Sequence, residues 1–176
     1  MTDFAVREVN VAEDTIALLN LDTSFSSDRI FQVDGPEDGA ICLRPVAVPE
    51  TIYLRLPFLL EAEPWERGWV ATRGDDIAGF VAIEYRPWNR RLVIWHLYVD
   101  RPYRGGGIGY ALMDRVIRHG RELDATTVWV ETSNLNGAGI EAYGKMGFDI
   151  CGFDLTHYRG TPSEGQFAVF LSRSTK

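Results

Sequence analysis

LYVDRPYRGGGIGY, residues 97 to 110, decides how this chain is read. Leu97 and Val99 alternate like the end of a strand, Pro102 stops it, and Gly105, Gly106, Gly107 and Gly109 lead into a segment with helical spacing. A strand therefore feeds a helix through a nearly bare backbone. Without a Cβ in the way, a ligand can press against the peptide N–H groups, and the helix start adds unpaired donors and a partial positive charge. That is an anion cradle suited to phosphate. Arg104 at its lip brings a permanent charge and a planar fork of donors. A P-loop would end in Gly-Lys-Ser/Thr, whereas Gly109 is followed by Tyr110 and Ala111. A dinucleotide fingerprint would need a third glycine where Tyr110 stands. Both nucleotide readings fail, which leaves a glycine-rich turn without a ligand as the plain alternative.

The remaining pattern is R-x-x-G-x-G, spelled by Arg104, Gly107 and Gly109 after L-x-V. It resembles the acetyl-CoA pyrophosphate loop of the GNAT superfamily of N-acetyltransferases. Asn136, Ala138, Ile140, Tyr143, Gly147 and Phe148 are similar to that superfamily's N-x-x-A-x-x-x-Y-x-x-x-G-F pattern, with Gly139 in place of its usual small residue. The resemblance implies cofactor contacts at Leu97, Tyr98 and Val99, at Arg104, and along Gly105, Gly106, Gly107, Ile108, Gly109 and Tyr110. It also implies that Asn136 helps hold the coenzyme A arm and that Tyr143 lies near its sulfur as general acid. Read from the residues alone, Asn136 is a helix N-cap and Tyr143 a core aromatic.

Trp88-Asn89-Arg90-Arg91, Val130-Glu131-Thr132, Cys151-Gly152-Phe153-Asp154 and Tyr158-Arg159-Gly160-Thr161 resemble the streptothricin (nourseothricin) acetyltransferases over roughly the C-terminal half. One departure stands out. The strand before the glycine loop carries a Glu-Asp pair in those enzymes, and Trp95 and His96 occupy the positions here. The resemblance thus bears more on the acetyl donor than on the acceptor.

The length of 176 residues suits a single domain spanning the chain, and the ordinary mix of apolar and charged residues points away from disorder. The N-terminal MTDFAVREVNVAED has acidic residues and no apolar run, so neither a signal peptide nor a membrane span is expected, and the default location is cytoplasmic. A net charge of −7 disfavours nucleic acid and favours a cationic ligand. Cys42 and Cys151 match no metal or redox spacing and are expected as buried free thiols. Three scattered histidines make no metal site.

Periodicity predicts a strand at 4–9 and a helix at 10–20 with Ile16, Leu19 and Ala12 inward. It predicts short strands at 30–33 and 41–48 around the turn Pro36 to Gly39, then mixed apolar sequence at 51–62 interrupted by Pro57. A hairpin follows at 68–72 and 77–85, then a turn at 87–90 and a strand at 92–99. After the glycine loop, Ile108, Ala111, Leu112, Val116 and Ile117 mark a helix that Gly120 is expected to stop. A strand at 126–132, a helix at 136–146 along Ile140, Tyr143 and Met146, and strands at 148–153 and 167–171 complete the chain. The expected fold is α/β (α+β) and GNAT-like, a mixed central sheet of about six to seven strands flanked by helices. Its exposed sheet edges would suit a homodimer.

Transfer of an acetyl group from a thioester to an amine has three requirements. An amine with a pKa near 10 must lose its proton, the developing oxyanion needs a donor, and the departing thiolate takes a proton. The resemblance implies a main-chain N–H near Leu97 or Val99 that serves the oxyanion where a bulge interrupts the strand. Glu131, Glu84 and His96 are the candidate bases, with a water chain as the other route. Each also has a structural alternative: Glu131 paired with an Arg, Glu84 facing solvent, His96 satisfied in the core. Asp154 and Glu131 are candidates for a cationic substrate; Glu61, Glu63, Trp65 and Glu66 suit either such a ligand or a solvated loop. The expectation is an acetyl-CoA-dependent N-acetyltransferase acting on a small-molecule amine, a streptothricin-like antibiotic first. Polyamines, aminoglycosides, amino acids and protein N-termini are the rival acceptors, and a non-catalytic acyl-CoA-binding module is the rival class.

Overall fold

Alternating apolar residues on either side of two tight turns build the centre of the sheet in a computed structural model, which describes residues 3–34, 41–56, 58, 60 and 63–176. In chain order the elements are β1 (Ala5–Glu8), α1 (Val11–Leu19), β2 (Ser24–Asp34), β3 (Cys42–Arg55), β4 (Arg67–Arg73) and β5 (Asp76–Arg86). There follow β6 (Arg91–Val99), α2 (Ile108–Glu122), β7 (Thr127–Ser133), α3 (Gly137–Lys145), β8 (Asp149–Asp154) and β9 (Ala168–Ser174). The fold is mixed α/β. Seven strands form one sheet in the order β1-β4-β5-β6-β7-β9-β8, and β2 pairs with β3 in a separate ribbon.

The chain forms two compact units. Met1–Thr23, Arg55–Val130 and Ser172–Lys176 make the first; Ser24–Leu54 and Glu131–Leu171 make the second. In the first, β1, β4, β5 and β6 run antiparallel in succession, and β6 pairs in parallel with the start of β7. Successive side chains of β5 point to opposite faces. Phe80 and Ala82 join Leu18, Leu21, Leu60 and Val70 in a buried cluster on one face. On the other, Ile108 and Leu112 of α2 press against Gly79.

α1 is rotated from its expected setting. Ile16 is 77% exposed, Leu19 52% exposed, and Ala12 is also exposed, while Leu18 and Asp14 are buried. An ion pair fixes this rotation: Arg7 donates through both terminal nitrogens to Asp14, each at 2.7 Å, and the Asn10 N–H donates to the same carboxylate at 2.8 Å. α2 does not stop at Gly120. The helix continues to Glu122 and uses Gly120 for a close approach to Leu92 and Thr175.

In the second unit the ribbon strands are longer than the periodicity predicts, β2 covering 24–34 and β3 covering 42–55. Pro45 and Pro49 lie within β3, which has a neighbour on one side only, so a missing N–H need not break a ladder. The turn at 36–39, Pro57, Glu61 and the end of the 51–62 segment at Ala62 lie outside the described residues. Cys42 and Cys151 are free but exposed, not buried, at the start of β3 and on edge strand β8. Among the described residues, no helix is long and apolar enough to cross a membrane.

Candidate active site

The glycine loop lies in the first unit, between β6 and α2. Gly105 and Gly107 have φ of 78° and 86°, the left-handed region that glycine enters without strain, and a Cβ on either would meet nothing within 4 Å. Gly107 caps the N-terminus of α2, whose first N–H groups lack helical partners. Open backbone, a helix N-terminus and a neighbouring arginine fit a pyrophosphate. Arg104 also braces the loop, donating to the carbonyls of Val99 at 2.9 Å and Asp22 at 2.7 Å. The Asp22 N–H in turn donates to Asp100 at 2.9 Å. Tyr110, on the first turn of α2, is 53% exposed.

β6 carries the bulge that the resemblance implies. Ala82 lies opposite His96 and Ile83 opposite Ile94, so Trp95 is an extra residue in the β5–β6 ladder, a bulge. Leu97, Tyr98 and Val99 pair with Val81, Phe80 and Gly79 beyond it. On the other side, the parallel ladder with β7 runs only from Arg91 opposite Thr127 to Ile94 opposite Val130.

The two candidate bases of this unit have opposite surroundings. Glu84 does not face solvent freely: its Oε2 accepts from Trp95 Nε1 at 3.0 Å and from Arg86 at 3.1 Å. His96, 4% exposed, stacks on Phe80 and meets Phe58 edge-on with ring centroids 5.0 Å apart. Neither of its ring nitrogens has a hydrogen-bond partner among the described residues. It is a core histidine, but not a satisfied one. Burial pushes the imidazole down to about 4, so the ring is neutral at pH 7. Each buried, unpaired polar atom costs about 1–3 kcal/mol.

Trp65 is also a core residue, donating to the Leu60 carbonyl at 2.7 Å and packing edge-on against Phe80. Glu66 accepts the Tyr85 N–H at 3.3 Å, and Glu63 is half-buried.

The second unit holds Glu131, Asn136, Tyr143 and Asp154. Asn136 is the N-cap of α3, accepting the Gly139 N–H on Oδ1 at 3.0 Å and donating to Thr132 Oγ1 at 3.0 Å. A Cβ at 139 would come within 2.3 Å of Asn136 Nδ2, which explains the glycine there. Arg29 of β2 pairs with Glu141 of α3 at 2.7 Å. Tyr143 is half-buried, edge-on to Phe148.

Glu131 has partners that the sequence did not reveal. The Tyr158 hydroxyl donates to Oε1, and His157 Nε2 lies 3.8 Å from Oε2. Burial and the adjacent carboxylate push the Tyr158 phenol well above its ordinary value. Tyr158 belongs to a quoted motif, but a contact spanning 27 residues leaves no local signal. Asp154 accepts the Thr156 hydroxyl and N–H, both at 2.7 Å, and these bonds hold its carboxyl below the ordinary value.

Known proteins share this fold. The family described as "Acetyltransferase (GNAT) family" matches residues 38–148. A streptothricin acetyltransferase of Streptomyces lavendulae is 38% identical over 169 residues, 90% of this chain and 89% of that protein. The crystal structure of a nourseothricin acetyltransferase superposes with a TM-score of 0.90 at 37% identity, covering 99% of this chain and all of the other. An acetyl-coenzyme-A complex from Bacillus anthracis str. Ames shares the fold, with a TM-score of 0.80 at 24% identity over 97% of this chain and 99% of that one. The chain belongs to the GNAT acetyltransferase family and is an acetyl-CoA-dependent N-acetyltransferase.

Proposed function

We propose that this enzyme acts in the cytoplasm on a primary amine of a small cationic molecule, and that a streptothricin-like antibiotic is its acceptor. Left-handed Gly105 and Gly107 at the mouth of α2 carry the donor half of this reading. The 38% identity to a streptothricin acetyltransferase supports the acceptor half.

Acetyl-CoA supplies an acetyl group activated as a thioester. The N–H groups of Gly105 to Tyr110 receive its pyrophosphate, with Arg104 adding charge at the loop. The backbone of Leu97, Tyr98 and Val99, past the Trp95 bulge, would hold the pantetheine arm, and one of its N–H groups would stabilise charge on the carbonyl oxygen. By the resemblance, Asn136, which caps α3, would be the residue that steadies the coenzyme A arm, and the Tyr143 hydroxyl the group that would give a proton to the thiolate. Glu131, oriented by Tyr158, and Asp154 draw the cationic acceptor. Glu84, bound by Trp95 and Arg86, is the less available carboxylate for proton removal.

Thiol release from acetyl-CoA across a panel containing streptothricin, a polyamine, an aminoglycoside, amino acids and a peptide N-terminus tests the acceptor. Streptothricin should give the highest kcat/KM, and Tyr143→Phe should lower turnover with acetyl-CoA affinity nearly intact. A different preferred amine would overturn the antibiotic assignment, and unchanged turnover in Tyr143→Phe would remove that hydroxyl from the chemistry.

A further inference from the structure

Asp100 is an unexpected residue at the approach to an anion site. It stands five residues before Gly105, where a negative charge works against a bound pyrophosphate. The glycines beyond it cannot hold their loop in shape alone. Among the described residues, a Cβ on Gly105 or Gly107 would meet nothing within 4 Å, and one on Gly106 only the Tyr103 carbonyl. Glycine also loses the most freedom on being ordered, so the frame just before it, residues 99–104, has to fix the loop. One side of that frame is tied to β5: the Asp100 N–H donates to the Ala78 carbonyl at 2.9 Å, and the Tyr103 hydroxyl donates to Asp76 at 2.9 Å. The other side grips the backbone of one residue beyond α1. Asp100 Oδ1 accepts the Asp22 N–H at 2.9 Å, and Arg104 donates to the Asp22 carbonyl at 2.7 Å while its Nε holds the Val99 carbonyl at 2.9 Å. Thr23, next along, is itself anchored by its hydroxyl to the Leu56 carbonyl at 2.6 Å.

We propose that Asp100 is a positioning residue for acetyl-CoA: with Arg104 it clamps the frame to the Asp22 backbone and so holds the glycine cradle in its binding shape before the pyrophosphate arrives. A loop ordered in advance spends less of the binding energy on its own ordering. The carboxylate thus has two opposed effects on the donor. Its charge weakens binding, and its hydrogen bond to a residue 78 positions away strengthens binding by more. This assignment rests on the reading of the glycine loop as the acetyl-CoA site.

Calorimetric titration of acetyl-CoA into the parent, Asp100→Ala and Asp100→Asn separates the two effects. Asp100→Ala, which removes charge and acceptor together, should raise the Kd about five- to tenfold. Loss of charge alone would lower it, and a merely structural role would lower the melting temperature at the parent's Kd. Asp100→Asn, which keeps an acceptor oxygen without the charge, should bind at least as tightly as the parent. In the parent, amide hydrogen exchange at Asp22 should slow when acetyl-CoA is added. Binding by Asp100→Ala at the parent's affinity or tighter overturns the assignment, as does Asp100→Asn binding as weakly as Asp100→Ala; both leave the donor reading of the loop intact. If Asp100→Ala does not fold, exchange at Asp22 unmoved by acetyl-CoA has the same force. A parent that binds no acetyl-CoA overturns the assignment and the donor reading together.

Discussion

An imidazole that stays neutral where solvent would protonate it makes stability depend on pH. The unfolded chain binds a proton at His96 near the ordinary value of 6.5, and the folded chain only near 4. The contribution is therefore complete above about pH 6.5 and lost as pH falls through about 4, with an upper size of about 3 kcal/mol. Glu8, held down by Arg67, and Asp14, held down by Arg7, lose theirs below ordinary carboxylate values, at lower pH. Denaturant unfolding of parent and His96→Phe between pH 4 and 7 should show a decline in the parent that the variant lacks; parallel curves would refute it. Chemistry at this scale was partly legible. Trp95 and His96 are conspicuous in the sequence because the resemblance leads one to expect acids there, but nothing local revealed that Trp95 binds Glu84 or that Phe58 covers His96.

Elements were read best where one side of the pattern is strongly apolar. β5, β6 and the start of α2 fall close to their predicted positions because alternation and helical spacing report burial directly. α1 was misread because a polar pair, not its apolar residues, sets which side turns inward. Gly120 was misread because a glycine that ends a helix and one that lets a helix approach its neighbour look alike in sequence. The two roles separate by mutation. Alanine normally improves a helix interior by about 1 kcal/mol over glycine. At Gly144, where a Cβ meets nothing within 4 Å, Gly144→Ala should raise stability by about that amount. At Gly120 a Cβ would lie 2.8 Å from Leu92 Cδ1 and 3.1 Å from Thr175 Cγ2, and Gly120→Ala should lower stability by about 1 kcal/mol or more. Chemical denaturation of the two variants gives both signs; a stabilised Gly120→Ala would contradict the close approach.

At the scale of the whole molecule, the family was legible because two motifs, each resembling part of its pattern, stand in one chain at the expected spacing. The sheet order was not: β9 enters between β7 and β8, a long-range pairing that local periodicity cannot encode. The ribbon of β2 and β3 was underestimated for a related reason, as its residues 24–29 and 49–55 are mostly polar or interrupted by proline. Ligand linkage gives a global readout. Acetyl-CoA at about 100 times its Kd should stabilise the fold by about 2.7 kcal/mol and raise the melting temperature. Gly107→Trp, which forces a large side chain onto a φ of 86° and covers the loop, should abolish that rise. A full shift in the variant would remove the loop from cofactor binding.

Cys42 and Cys151, both on the surface, give air oxidation a route to covalent pairs of chains. Disulfide-linked dimers would disappear on adding dithiothreitol, whereas two protomers joined along the sheet edge at β1 or β8 would persist, so the reductant distinguishes a chemical artefact from quaternary structure.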